Sequence, residues 1–264
     1  MNGQPATSPT PVLKATGISK RYGNVVALDC VDFEVFGGEV LGLIGDNGAG
    51  KSTLTKILAG AVTADAGTIF FKDRPCAFST PREALRAGIE MVYQDLSLAP
   101  DLDVSANLFL GREPLRKGFW GMLDFYDAAD MRNRSAEHLR DFGLKVEKLH
   151  QPVDSLSGGQ RQAIAVARAV LWGREVVIMD EPTAALGVTQ SALVLSLMRR
   201  VSSTGTAVVF VSHNLPHVFE ACDRIVVLRQ SKRVGTLDPK RASMDETVSL
   251  MTGATPAAGD LNMM

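Results

Sequence analysis

Short uninterrupted apolar runs alternate along the chain with segments whose apolar residues recur every three or four positions. The runs include Val40-Leu41-Gly42-Leu43-Ile44, Val176-Val177-Ile178-Met179 and Val208-Val209-Phe210-Val211. Strands with no polar face suit a parallel sheet covered on both sides. Thr53 to Ala59 reads as a helix, and so does the segment from 158 to 171, where Ala163, Val166, Ala167, Val170 and Leu171 share one helical face. The pattern predicts an α/β fold built on a parallel sheet. From Leu96 to Gln151 the alternation breaks at Pro100, Pro114 and Gly118-Phe119-Trp120-Gly121, followed by a charged amphipathic stretch from Asp127 to Phe142. This region, about 96–151, reads as a helical subdomain inserted into the α/β core. Residues 1–10 and 253–264, rich in Pro, Gly, Ala and Thr, read as disordered ends around one domain spanning 11–252.

Composition adds exclusions. Of 264 residues, 45% are hydrophobic and 22% charged, which provides for a sizeable core. Lys and Arg number 28 against 29 Asp and Glu, a formal charge of −1, so bulk charge invites neither nucleic acid nor anionic lipid. The three cysteines, Cys30, Cys76 and Cys222, are scattered without metal-ligand spacing and read as reduced thiols. No apolar run approaches the roughly 20 residues of a membrane-spanning helix, and the first residues lack the basic start and apolar stretch of a signal peptide. Work at a membrane would need other chains to cross it.

The chemistry concentrates in three places. Gly45-Asp46-Asn47-Gly48-Ala49-Gly50-Lys51-Ser52 matches G-x-x-x-x-G-K-[ST] between an apolar strand and the helical run that opens at Thr53. Such a loop turns successive backbone N–H groups toward a phosphate, adds the positive end of a helix and the charge of Lys51, and offers the Ser52 hydroxyl to Mg²⁺. The strand from Val176 ends in Asp180 and Glu181, at the edge where parallel sheets bind ligands. There Asp180 suits an Mg²⁺ site and Glu181 the polarising of an attacking water. Leu156-Ser157-Gly158-Gly159-Gln160 opens the helix of 163–171, either as a second anion cradle or as a serine N-cap with a flexible entry.

In combination these motifs resemble the ATP-binding cassette (ABC) ATPases, in that family's order and over nearly the whole folded body. The resemblance implies a P-loop nucleotidase core with an N-terminal antiparallel β portion and an inserted α-helical subdomain. ATP and Mg²⁺ are the implied cofactors. Tyr22 in Lys20-Arg21-Tyr22-Gly23 matches the aromatic that stacks on adenine, Gln94 in Tyr93-Gln94-Asp95 the glutamine that senses Mg²⁺ and the γ-phosphate, and His213 in Ser212-His213-Asn214 the switch histidine. Catalysis then falls to Glu181, His213, Lys51 and Gln94, and metal binding to Ser52, Gln94 and Asp180. The nucleotide contacts are Tyr22, residues 45–53 from Gly45 to Thr53, and Ser157, Gly158, Gly159 and Gln160.

The resemblance further implies a head-to-tail homodimer in which Ser157, Gly158 and Gly159 of one copy close over ATP on the other. The chain departs from the family after the catalytic glutamate, where Glu181-Pro182-Thr183-Ala184-Ala185-Leu186-Gly187 has Gly187 at the usual aspartate, so weak coupling between the two sites is expected. That form is similar to ATPases of bacterial monosaccharide importers of the ribose, xylose and fructose type. Implied partners are transmembrane permease subunits, docking near Leu96 to Leu110, and indirectly a periplasmic or extracellular sugar-binding protein. The implied location is peripheral, on the cytoplasmic face of the inner membrane. The alternatives are a cassette serving another solute and a non-transport cassette acting on ribosomes or DNA; the near-neutral charge speaks against nucleic acid.

Overall fold

The computed structural model describes residues 10–93, 96–117, 124–141, 149–184 and 186–254. The chain opens with the antiparallel pair β1 (Leu13–Tyr22) and β2 (Val25–Val35), enters the central sheet at β3 (Val40–Ile44), and continues through α1 (Lys51–Leu58) to β4 (Ala66–Phe71) and β5 (Arg74–Cys76). Then come α2 (Pro81–Ala87), β6 (Ile89–Val92), α3 (Val104–Phe109), a ribbon of β7 (Leu115–Lys117) and β8 (Asp124–Tyr126), and α4 (Ala128–Asp141). The second half alternates regularly: α5 (Gly158–Trp172), β9 (Val176–Asp180), α6 (Val188–Ser203), β10 (Ala207–Val211), α7 (Leu215–Ala221), β11 (Arg224–Arg229), β12 (Lys232–Leu237) and α8 (Met244–Thr252).

The central sheet has the order β12-β11-β3-β10-β9-β6, parallel except for β12 at its edge. Every residue of β3, β9 and β10 is buried, as their unbroken apolar runs require. Alternation along these strands divides the interior in two. Val40, Val177, Met179, Val208 and Phe210 face a core shared with α5 and α6, whereas Leu41, Leu43, Ile178, Val209 and Val211 face one shared with α1 and the first strands. The expected antiparallel portion is the second sheet, β2-β1-β4-β5. In region 96–151 the described residues form α3, α4 and the β7–β8 ribbon; no strand pattern marks that ribbon in the sequence. Gly118-Phe119-Trp120-Gly121 lies outside the described residues, as do 1–9 and 255–264.

Arg224, at the start of β11, ties the parallel sheet to the end of β2. Its Nε donates to Glu39 Oε2 at 3.1 Å, one terminal nitrogen donates to the Glu34 carbonyl at 2.9 Å, and the guanidinium lies 4.9 Å from the Phe36 ring centre. Burial pushes the Glu39 carboxyl above its ordinary value, against the Phe36 N–H and Arg224, which pull it down. Arg224→Ala is expected to cost about 2–4 kcal/mol at pH 7 by leaving that carboxylate without its cation. A group whose folded pKa lies above its unfolded one is penalised only where it is ionised. The loss should therefore shrink as the pH falls toward about 4. Urea unfolding of both proteins at pH 7 and pH 4.5 measures the difference.

Candidate functional site: a phosphate cradle at the carboxyl edge of the sheet

Because β3, β9 and β10 run parallel, their carboxyl ends deliver the glycine-rich loop of residues 45–52, the acidic pair and His213 to one edge. β10 lies between the other two, so the acids reach the loop across one intervening strand. The loop closes by backbone approaches that admit no side chain. A Cβ on Gly45 (φ 150°) would fall 2.1 Å from the Leu228 carbonyl oxygen. One on Gly50 (φ 104°) would fall 2.5 Å from that of Ala27. Gly48, also at positive φ, faces open space. α1 begins at Lys51, two residues earlier than the sequence pattern suggested, so its first N–H groups open directly into the loop.

Lys51 is buried, and its Nζ donates to the carbonyls of Gly45 at 2.6 Å and Asp46 at 3.0 Å. Burial lowers its pKa, with Glu181, Asp180 and Asp46 pulling the other way. Asp180 is also buried; desolvation and the Glu181 charge raise its pKa, while the Ser52 hydroxyl hydrogen-bonds its carboxylate and lowers it. A hydroxyl and a carboxylate in contact at a loop of backbone amides form a hard-oxygen donor pair of the kind Mg²⁺ takes beside phosphate, so the residues fit that ion.

Glu181 sits at φ 52°, a strained conformation for a glutamate, and its N–H donates to the Val211 carbonyl at 3.0 Å. That bond locks the end of β9 to the end of β10. His213 Nδ1 lies 2.8 Å from Glu181 Oε1. A carboxylate can only accept, so the bond places the proton on Nδ1 and leaves Nε2 free on an exposed ring. One step outward, His217 Nδ1 meets the buried Thr183 hydroxyl at 3.1 Å, a contact between α7 and the turn after Glu181 that sequence reasoning missed.

Tyr22 ends β1, half exposed with Lys20 Nζ 5.6 Å from its ring centre, in the hairpin whose second strand carries the Ala27 carbonyl against Gly50. Gln94 lies outside the described residues. Its downstream neighbours are held: Arg168 on α5 donates to the Ser97 carbonyl at 2.8 Å and the Leu96 carbonyl at 3.1 Å. The spacing of Arg168 on its helix gave no sign of that role.

The Ser157 segment opens α5. Ser157 caps α5 in a reciprocal box: its hydroxyl accepts from the Gln160 N–H at 3.3 Å, and Gln160 Oε1 accepts from the Ser157 N–H at 3.0 Å. The capping alternative is thus realised, and it leaves Gly158 open on the surface. Among the described residues, no hydrogen bond or ion pair of this segment reaches the phosphate loop. Gly159 packs instead on Gln190 of α6, whose Cγ lies 2.2 Å from where a Cβ would stand. Gln190 also fills the place of a side chain at Gly187, its Oε1 being 2.7 Å from that missing Cβ.

A phosphate loop, an acid pair with a histidine, and a capped Ser-Gly-Gly helix start define an ATP-binding cassette. Residues 28–184 match the family model described as ABC transporter. The chain is 49% identical to a fructose import ATP-binding protein of Rhizobium meliloti, over 92% of this chain and 95% of that one. It is 42% identical to a ribose import ATP-binding protein of Burkholderia thailandensis, over 92% of this chain but 47% of that longer one. Among solved structures, the ADP conformation of an ATP-binding cassette of an ABC transporter matches over 92% of this chain and 95% of that one, with a TM-score of 0.77 and 23% identity. A dimeric cassette bound to ADP and Pi matches over 88% and 100%, with a TM-score of 0.73 and 23% identity. The chain belongs to the ABC transporter family, and it is an ATPase of that family.

Two substitutions separate the parts of the site. Glu181→Gln is expected to bind ATP as the unaltered chain does while turnover falls about 10²- to 10⁴-fold. Lys51→Ala is expected to weaken nucleotide binding as well. Equilibrium binding of a fluorescent ATP analogue beside phosphate-release rates distinguishes them; unchanged turnover in Glu181→Gln would remove that residue from the base role.

Proposed function

We propose that this chain is the energy-coupling ATPase of an importer for monosaccharides such as fructose, ribose or xylose, acting as a homodimer beneath separate permease subunits. The identity to the fructose import protein over nearly the full length of both chains carries this reading. In the proposed cycle, ATP enters with its phosphates on the amides of residues 45–53, Lys51 Nζ turns from the Gly45 and Asp46 carbonyls to the phosphate oxygens, and Tyr22 covers the base. Ser52 and Asp180, with Gln94, would hold Mg²⁺, which supplies charge neutralisation between the phosphates.

Glu181 takes the proton from the attacking water, held in place by its N–H bond to Val211 and by His213. His213 Nε2 faces the γ-phosphate. Ser157, Gly158 and Gly159 of the second copy complete the enclosure, the exposure of Ser157 and Gly158 at the start of α5 leaving that segment open to such a contact. Most of the acceleration is positioning and preorganised charge. Gly187 places no carboxylate between the two sites, so each hydrolyses with little dependence on the other. The working location is the cytoplasmic face of the inner membrane, and no described helix is long and apolar enough to cross a membrane. A sugar-binding protein outside the membrane enters through the permease alone.

The permease contact is proposed for the inserted region. Within Leu96 to Leu110 most apolar side chains are core, Val104, Leu108 and Phe109 being fully buried; Leu102 and Leu110 are exposed. Capture of the tagged chain from detergent-solubilised native membranes, with mass spectrometry, is expected to return a multi-span permease. ATP hydrolysis by that complex in vesicles is expected to rise when a monosaccharide and its binding protein are added. Ribosomal or DNA-bound partners without a permease would overturn the transport reading and leave the nucleotide site standing.

A further inference from the structure

β11 and β12 are joined by a two-residue turn, Gln230-Ser231, and both residues sit in the left-handed region, at φ 46° and 67°. A turn with two such residues is ordinarily built from Asn-Gly or Asp-Gly, because most side chains at positive φ are strained. Ser231 bears that strain and is buried, with its hydroxyl and its carbonyl both engaged. Its Oγ donates to the Val26 carbonyl at 2.7 Å, and its own carbonyl accepts the Asp29 N–H at 2.8 Å. The turn is thereby fastened to β2. Lys232 adds an ion pair with Asp29 at 3.1 Å, but both side chains are more than half exposed and water screens the pair.

The turn lies between the two clamps of the glycine loop. Leu228, three residues before Ser231, presents the carbonyl that closes on Gly45, and Ala27, next to Val26, presents the one that closes on Gly50. Arg229 and Gln230 line, together with Asp46, Asn47, Gly48 and Ala49, a cavity of about 220 Å³ against the loop. On its other side Val26 pairs with Arg21, and Val25 with Tyr22, across the β1–β2 hairpin.

We infer that Ser231 is a positioning residue for the nucleotide, its hydroxyl holding the hairpin that carries Tyr22 in register with the loop that receives the phosphates. The inference rests on the reading of Tyr22 as the residue that covers the base. Base and triphosphate belong to one ligand of limited reach, so both subsites contribute fully only where the distance between them is preset. Where it is not, binding must also order the hairpin, and affinity falls. The two subsites sit on different sheets, Tyr22 on β1 of the antiparallel sheet and the loop at the end of β3 in the central one. Leu228 of β11 fixes the loop at Gly45 from within the central sheet, whereas the hairpin tip depends on bonds from outside its own sheet. Ser231 supplies one where β2 leaves the hairpin. It acts through β2 and not by contact with the ligand, since its hydroxyl is already engaged by Val26.

Two variants separate positioning from stability. Ser231→Gly removes the hydroxyl and relieves the left-handed strain, whereas Ser231→Ala removes the hydroxyl and keeps the strain. Urea midpoints should therefore place the glycine variant close to the unaltered chain and the alanine variant below it. Both should nevertheless bind a non-hydrolysable ATP analogue with Mg²⁺ about five- to tenfold more weakly by calorimetry, the worth of one hydrogen bond. Magnesium tripolyphosphate, which has no base, should bind within about twofold of its affinity for the unaltered chain. KM for ATP should rise with the weakened binding while kcat changes little. Tyr22→Ala, measured beside them, should bring the analogue's affinity down toward that of tripolyphosphate. With that effect in hand, three outcomes would each overturn the inference alone: analogue binding by Ser231→Gly equal to the unaltered chain, analogue and tripolyphosphate weakened alike, or affinities that follow the urea midpoints from glycine to alanine. Unchanged analogue binding by Tyr22→Ala would overturn the reading of Tyr22, and this inference with it.

Discussion

The close approach of backbone to backbone at Gly45 and Gly50 is the constraint on which the rest of the site depends. The phosphate loop is pressed between the Leu228 carbonyl of β11 and the Ala27 carbonyl of β2, with no room for a Cβ at either contact. It is thereby anchored to both sheets, and its amides point where they do because the core fixes the ends of β3 and β11. Arg224, joining β11 to the Glu34–Glu39 segment, holds the same two sheets together from the other end of the strand. The precision of a flexible-looking glycine loop comes from the rigidity of what it touches.

Charge follows the same economy. Lys51, Asp180 and Glu181 are drawn together in a half-dry cleft, where burial disfavours the charged forms of Lys51 and Asp180. In the proposed cycle, phosphate would offset the first cost and a hard cation the second. The left-handed Glu181, tied by its N–H to Val211 and by its side chain to His213, stores strain at the point where the proposed reaction needs a fixed base.

Much of this was legible in the sequence because it is local. The apolar runs gave the parallel strands, and a ligand-binding edge follows from parallel strands whatever the crossovers. The Ser157 box was legible as a cap and is one. What the sequence concealed depends on topology. Glu90 and Arg112, and Arg112 and Trp172, are distant in the chain and meet only after β6, α3 and α5 pack. The β7–β8 ribbon has three residues per strand, too few for any period to show, and Gln190 reveals itself only through the two glycines it fills.

In the proposed dimer a working site needs two chains, the phosphate loop of one and the Ser157 segment of the other, and among the described residues no hydrogen bond or ion pair joins the two within one chain. Mixing Lys51→Ala chains with Ser157→Arg chains tests it most directly. Each variant alone should be inactive. The mixture should recover ATP hydrolysis, because a mixed dimer holds one site with an intact loop from one copy and an intact Ser157 segment from the other. A mixture as inactive as its components would contradict the shared site and return the chemistry to the single chain.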